Sequence, residues 1–108
     1  MPVAVKVLSL VEAVGSQRRL AELLGVDPAQ VTRWQRGESP SPLNAREVDV
    51  LELVLSELSR LYDPGTARRW LVGLNPHLGD RRPVDVIHAG RAEDLLAALR
   101  IEAAGTPA

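Results

Sequence analysis

The sequence predicts an all-α fold, and three observations lead to it. Only 3% of the residues are aromatic while 45% are hydrophobic, so aliphatic side chains must fill the core. Apolar residues recur at helical spacing, with Pro and Gly between the periodic segments. A chain of 108 residues suffices for one domain, or for one small domain with a packed appendage. We expect an N-terminal helical bundle over residues 1–42 and a small helical module over residues 43–108.

Each helix is predicted from its periodicity and from the residues that can cap it. Gly15 ends the first helix, and Ser16 and Asp27 have side-chain oxygens that can cap the second and third. A stiff Ser-Pro-Ser-Pro connector over residues 39–42 precedes a long amphipathic helix. The predicted helices span residues 3–14, 17–24, 28 to about 36, 43–61, 63 to about 71, 83–88 and 93–103.

Residues 17–36 have the spacing of a helix-turn-helix. The fifth position of this unit needs a small residue where the two helices nearly touch, and Ala21 occupies it. The ninth position needs a residue that tolerates positive φ, and Gly25 occupies it. The positions that bury against the other helices are all apolar: Leu20, Leu24, Val26, Val31 and Trp34. The spacing therefore predicts a helix-turn-helix DNA-binding region within residues 1–42.

The second helix of this unit would lie in the major groove of duplex DNA. There Gln30 can read adenine, and Arg33 can read guanine through its O6 and N7 atoms. Thr32 and Arg36 are better placed for phosphate, and the start of the preceding helix can offer backbone N–H groups to a phosphate. The predicted DNA-binding residues are Gln17, Ala29, Gln30, Thr32, Arg33 and Arg36.

The charge distribution limits how strongly this region can bind DNA. The net charge is −1, whereas DNA-binding proteins are expected to be basic. Residues 1–37 carry five basic and three acidic side chains, residues 38–65 carry two and six, and residues 66–108 carry six and five. The positive charge thus lies with the predicted DNA-binding region, but a monomer should bind weakly and lose affinity with salt. Two alternatives stay open: a solvated helical bundle, and an inherited fold whose DNA contact is weak or lost.

Several functional classes are disfavoured by residues that the sequence lacks. There is no Cys, which excludes disulfides and thiolate metal sites, and two histidines are too few for a structural zinc without carboxylates. No Gly-rich phosphate loop, H-E-x-x-H motif or nucleophile elbow occurs, so we expect no enzyme, no cofactor and no metal. No segment approaches the length of a membrane span, and we read the start as part of the fold rather than a signal peptide. We expect a cytoplasmic protein.

The segment from Trp70 to Gly90 resembles a known family. Physics alone predicts a compact helical module there, with consecutive turns at residues 75–76 and 79–80. The order of its residues closely resembles the antitoxin Xre/MbcA/ParS toxin-binding domain, which an Xre-like helix-turn-helix precedes in that family. The matching residues are Trp70, Leu71, Asn75, Leu78, Gly79, Arg81, Pro83, Val86, Ile87 and Gly90.

The resemblance implies an antitoxin of a type II toxin–antitoxin system. Its partner would be a RES-domain toxin, a class that degrades NAD⁺, and the helix-turn-helix would repress the operon of the pair. The antitoxin segment that covers the toxin's active site would be either the loop over residues 75–82 or the stretch over residues 95–108. The toxin-binding residues we single out are Asn75, Arg81, Arg82, Leu95 and Leu99.

Simpler roles for these residues stay open. Asn75 by itself is better explained as a turn residue, and Trp70 as a core residue. The last helix can close the bundle, or it can offer Leu95 and Leu99 to a groove of the partner. The alternative function is a stand-alone transcriptional regulator whose C-terminal half only dimerises. We expect a homodimer or a toxin–antitoxin hetero-oligomer, with the helix over residues 43–61 as the candidate interface.

Overall fold

The computed structural model describes residues 2–105, and these fold as α-helices joined by short turns. The all-α prediction is confirmed. The chain divides into two compact units, Met1–Glu52 and Leu53–Ala108, and the division falls within the fourth helix. The helices are α1 (Val3–Val14), α2 (Gln17–Leu24), α3 (Pro28–Gln35), α4 (Pro42–Ser59), α5 (Pro64–Val72), α6 (Pro83–His88) and α7 (Ala92–Gly105).

In the first unit, caps set the limits of α2 and α3. The Ser16 hydroxyl accepts a hydrogen bond from the Arg19 amide at 3.1 Å, which satisfies a free N–H at the start of α2. The Asp27 carboxylate does the same for the Ala29 amide at 2.8 Å. Between them Gly25 has φ 66°, a left-handed conformation that glycine adopts without steric penalty. The turn is therefore short, and α3 starts at Pro28, three residues after Gly25.

The core of the first unit is aliphatic apart from one indole. Helix α1 packs against α2 and α3, and α2 packs against α3. Trp34 is 1% exposed and is the largest side chain in this core, while Val26, expected to be buried, is partly exposed. The buried residues of this unit include Val7, Leu10, Val14, Leu20, Ala21, Leu24, Val31, Trp34, Val48 and Leu51.

Helix α4 starts one residue earlier and ends two residues earlier than predicted. It starts at Pro42, a favoured residue for a first helical position, and the hydroxyl of Ser41 accepts from the Asn44 amide at 3.2 Å. After Ser59 the chain tightens into a turn, in which the Arg60 amide donates to the Glu57 carbonyl and the Leu61 amide to the Leu58 carbonyl, each three residues back. Leu61, predicted to face the core, is partly exposed as a result.

The first unit extends into α4, beyond the predicted boundary at residue 42. Val48 and Leu51 are buried, and the Lys6 ammonium on α1 lies 2.7 Å from the Asp49 carboxylate on α4. A functional division at residue 42 stays a prediction, since the helix that follows it serves both units.

The second unit packs α5, α6 and α7 around a short 3₁₀ turn at Pro76–Leu78. Asp63 caps α5 by accepting from the Thr66 amide at 3.2 Å and the Thr66 hydroxyl at 2.6 Å, and these bonds hold the pKa of its carboxyl below the usual value. The buried apolar residues of this unit include Val54, Leu55, Leu58, Ala67, Leu71, Leu78, Val84, Val86, Ile87, Leu95, Ala98 and Leu99.

The polar groups of the described residues fit this helical packing. Among them, every buried side-chain nitrogen and oxygen has a hydrogen-bond partner. Glu47, which the sequence did not single out, is only 5% exposed on α4. None of the helices within residues 2–105 combines the length and the apolar character needed to cross a bilayer.

Candidate functional site

The surface of α3 presents only some of the predicted DNA-binding residues to solvent. Ala29, Arg33 and Arg36 are exposed, whereas Gln30 is half-buried. Ala29 and Arg33 lie four positions apart on one side of α3, and Arg36 is the residue that caps the end of the helix, three positions further on. This side is cationic, because both arginines lie on it.

Gln17 and Thr32 are joined to each other and to Gln35, so part of their hydrogen-bonding capacity is used within the protein. The Gln17 side-chain NH₂ group donates to the Gln35 side-chain oxygen. The Thr32 hydroxyl can donate to the Gln17 side-chain oxygen at 3.0 Å or to the Pro28 carbonyl at 3.3 Å. These bonds tie the start of α2 to α3 and restrict the Gln17 side chain. Gln35 was missed by sequence reasoning. Its position three residues after Thr32, on the side of α3 that faces α2, was the available signal.

Glu38 is a second residue that sequence reasoning missed. The Arg33 Nε lies 3.1 Å from a carboxylate oxygen of Glu38, and the two side chains are 48% and 56% exposed. Solvent weakens an ion pair with that exposure, so the pair can open to release the guanidinium. Glu38 reaches Arg33 because the chain turns back at the end of α3, where the Glu38 amide donates to the Arg33 carbonyl at 3.0 Å.

In the second unit, Asn75 organises a tight turn. Its side-chain oxygen accepts from the His77 amide at 2.9 Å, and its carbonyl accepts from the Leu78 and Asp80 amides. Its own amide donates to the Arg81 carbonyl at 3.1 Å, which closes the loop as an isolated antiparallel bridge. Asn75 is only 6% exposed, so the turn role that the sequence left open for it is the one its contacts support.

Arg81 and Arg82 lie at the end of this turn, and both are exposed. The Arg81 Nε donates to the Leu78 carbonyl at 2.7 Å. Arg82 makes a two-pronged contact with Asp85, at 2.8 and 2.9 Å. The hydrogen bonds from Arg82 lower the pKa of the Asp85 carboxyl, and those to Asp85 raise the pKa of Arg82. Both arginines therefore have internal partners, while their side chains stay at the surface.

The exposure of Leu95, Leu99 and Trp70 bears on the roles that the sequence left open for them. Leu95 is 0% exposed and Leu99 is 5% exposed, so neither is offered to a partner groove as the sequence allowed. Both close the core, because α7 packs against α6 and the 3₁₀ turn. Trp70, expected in the core, is only partly buried. The toxin-contact role of the two leucines would require α7 to move.

This arrangement of helices also occurs in proteins of known structure. No family model matches the chain. The antitoxin MbcA of Mycobacterium tuberculosis, and that of Mycobacterium bovis, are each 26% identical over 97 residues, covering 88% of this chain and 86% of the relative. The crystal structure of the M. tuberculosis MbcT–MbcA toxin–antitoxin complex contains a chain that superposes with a TM-score of 0.79 at 25% identity, covering 97% of this chain and 96% of that one. The chain resembles an antitoxin.

The similarity extends across both units. A match that covers 88% of this chain in sequence and 97% in structure includes residues of the α2–α3 pair and of the Asn75 turn. It supports an antitoxin role for the chain as a whole. It does not distinguish which surface would contact a partner, because the match is spread over both units.

Proposed function

We propose that this chain is an antitoxin that binds and blocks a partner toxin and represses its own operon through the α2–α3 pair. The observation that carries the first part is the agreement of sequence and fold with MbcA over nearly the whole chain. MbcA is found in a complex with a toxin, so the corresponding activity here is binding rather than catalysis.

The proposed partner is a RES-domain toxin that degrades NAD⁺, as the family resemblance of the Trp70–Gly90 segment implies. We place the toxin contact at the exposed arginines of the turn, Arg81 and Arg82, with Asn75 holding the loop that carries them. The Arg81 guanidinium lies 3.8 Å from an Asp94 carboxylate oxygen, Arg82 pairs with Asp85, and these side chains are about half-exposed. A guanidinium can exchange such a carboxylate for one on a partner at little cost. The burial of Leu95 and Leu99 favours this loop over the last helix.

Co-expression tests the antitoxin proposal. The reading frame adjacent to this one is expressed alone and together with this chain, and growth, cellular NAD⁺ and co-purification are measured. We expect the neighbour alone to stop growth and deplete NAD⁺, and this chain to reverse both effects and co-purify with it. A neighbour that is not restrained by this chain and does not bind it would overturn the proposal.

Charge-reversal variants test the proposed contact surface. Arg81→Glu and Arg82→Glu should weaken toxin binding and the rescue of growth. Arg18→Glu makes the same change in charge on α2 and should leave both intact. Equal rescue of growth by all three variants would show that the toxin does not contact Arg81 or Arg82.

The second part of the proposal rests on the exposed cationic side of α3. We propose that Arg33 reads a guanine and that Arg36 and Thr32 contact phosphate. Arg33→Ala should abolish preference for the operator in a titration at fixed salt, while folding and toxin binding persist. Unchanged operator affinity would refute the assignment.

A stand-alone transcriptional regulator is the alternative function. The same observation favours it, since an exposed cationic helix face needs no toxin to bind DNA. It predicts operator binding by the wild-type chain together with failure to rescue growth. The rescue and titration experiments therefore separate the two functions.

A further inference from the structure

Glu38 follows the end of α3, and backbone hydrogen bonds hold it close to that helix. The Glu38 amide donates to the Arg33 carbonyl at 3.0 Å, and the Gly37 amide donates to the Trp34 carbonyl at 3.0 Å. Gly37 has φ 101°, in the left-handed region. Together these are the features of a Schellman motif, a common way for a helix to end at a glycine. The motif fixes the backbone of Glu38 beside the last turn of α3.

From this position the Glu38 side chain reaches Arg33. One carboxylate oxygen of Glu38 lies 3.1 Å from the Arg33 Nε. A guanidinium presents its N–H groups as a planar fork, and a carboxylate, a phosphate and the O6–N7 edge of guanine all accept hydrogen bonds from such a fork. Glu38 and DNA therefore compete for the donors of one guanidinium.

The pairing selects the arginine that we assign to base reading. Residues 17–36 contain four arginines, all of them exposed: Arg18, Arg19, Arg33 and Arg36. Within residues 2–105, Arg33 is the one of the four that makes a salt bridge. Glu38 thus partly neutralises the charge of Arg33, whereas no carboxylate in this part of the chain does so for Arg36.

We propose that Glu38 competes with DNA for Arg33 and thereby lowers the DNA affinity of the α2–α3 pair. The inference rests on the proposed DNA-binding function and adds to it a residue that opposes binding. When Arg33 contacts a base or a phosphate, it gives up the Glu38 carboxylate, which then lies near the anionic DNA backbone. Because the two side chains are 48% and 56% exposed, the pair is weak and limits binding without preventing it.

The first test removes the charge of Glu38. Glu38→Gln keeps the backbone bonds at the end of α3, so the variant should melt like the wild type. Its affinity for an operator duplex, taken from the DNA upstream of the chain's own reading frame, should rise by about twofold to fivefold. Fluorescence anisotropy at one fixed salt concentration measures it. Glu22→Gln is the matched control and should change the affinity less, because Glu22 is exposed on α2 and makes no salt bridge within residues 2–105.

A double-mutant cycle tests whether Glu38 acts through Arg33. Affinity for the operator duplex is measured for the wild type, Glu38→Gln, Arg33→Ala and the double variant under the same conditions. In the Arg33→Ala background, Glu38→Gln should give a smaller gain than in the wild type, since no guanidinium is left to release. An equal gain in both backgrounds would overturn the proposal, because Glu38 would then act only as a general negative charge.

Failure of this inference can be told from failure of the DNA-binding function. A wild type that binds the operator and loses its preference on Arg33→Ala, together with a Glu38→Gln variant that binds no more tightly, would overturn the inference and leave the function standing. If neither the wild type nor Glu38→Gln binds operator or unrelated DNA, both are overturned. Tighter binding by Glu38→Gln that depends on Arg33 would support both.

Discussion

The α3 surface and the Asn75 turn use their polar side chains in different ways. At α3 the arginine side chains are exposed, and the one side-chain ion pair found for them among residues 2–105 joins Arg33 to the half-exposed Glu38. In the turn, Asn75 and Arg81 bond to the backbone of their own loop. The difference shows that the Asn, Gly and Pro residues of the second unit's motif form the turn itself and are not contact residues. The contact residues are those that the turn leaves at the surface.

The largest expected effect tests the burial of the last helix. Leu95→Ala should lower the free energy of unfolding by about 2–5 kcal/mol, because it leaves a cavity at a position that is 0% exposed. Urea denaturation followed by circular dichroism measures it. Leu74→Ala, at a position that is 72% exposed, should change stability by no more than about 0.5 kcal/mol. Equal effects of the two substitutions would show that Leu95 is not buried in the core.

Asn75→Ala should lower stability by about 1–2 kcal/mol, since it removes the acceptor for the His77 amide at a buried position. The melting temperature then falls by several degrees. His77→Ala is the control, because the His77 side chain is exposed and its amide keeps its partner. Loss of toxin binding without loss of stability would instead make Asn75 a contact residue.

On α3 a substitution should change binding and leave stability alone. Arg36→Ala should weaken operator and unrelated DNA equally and reduce the slope of log affinity against log salt by about one. A salt titration by fluorescence anisotropy measures both quantities. Arg91→Ala removes the same charge from the second unit and should change neither. An effect of Arg36→Ala on operator DNA alone would make it a base-reading residue.

The smallest expected effect concerns the ion pair of Arg82 with Asp85. The pKa of the Asp85 carboxyl is lower in the folded chain than the ordinary 3.8, so the pair stabilises the fold above that pH. The contribution is lost as the pH falls through the lower folded pKa. Asp85→Asn should thus be slightly less stable than the wild type near neutral pH and equal to it in acid. Asp80→Asn, which removes an exposed carboxylate without this partner, should show no such convergence.

The helices could be predicted from the sequence because local rules decide them. Ser16, Asp27 and Asp63 cap helices as their side chains allow, and Gly25 takes the left-handed turn that its position requires. Ends set by competing backbone bonds were less predictable. Helix α4 stops at Ser59, where the Arg60 and Leu61 amides donate to carbonyls three residues back, and apolar spacing does not encode that change.

The candidate sites could be predicted only in part. The exposure of Arg33 and Arg36 follows from helix periodicity, but their partners do not, because Glu38 reaches Arg33 only after the chain has turned. The leucines of the last helix have the same spacing whether they close a core or face a partner. Their burial is decided by α6 and the 3₁₀ turn, which both pack against α7.

The placement of the two tryptophans gives each unit its own optical reporter. Trp34 is almost fully enclosed in the first unit, and Trp70 is partly enclosed in the second. The chain has two tryptophans in all, so Trp34→Phe leaves a fluorophore in the second unit alone and Trp70→Phe leaves one in the first alone. Emission from the two variants, followed through the same denaturant series, reads the melting of each half separately. Coincident transitions would identify a single cooperative unit of folding, and distinct midpoints would identify two.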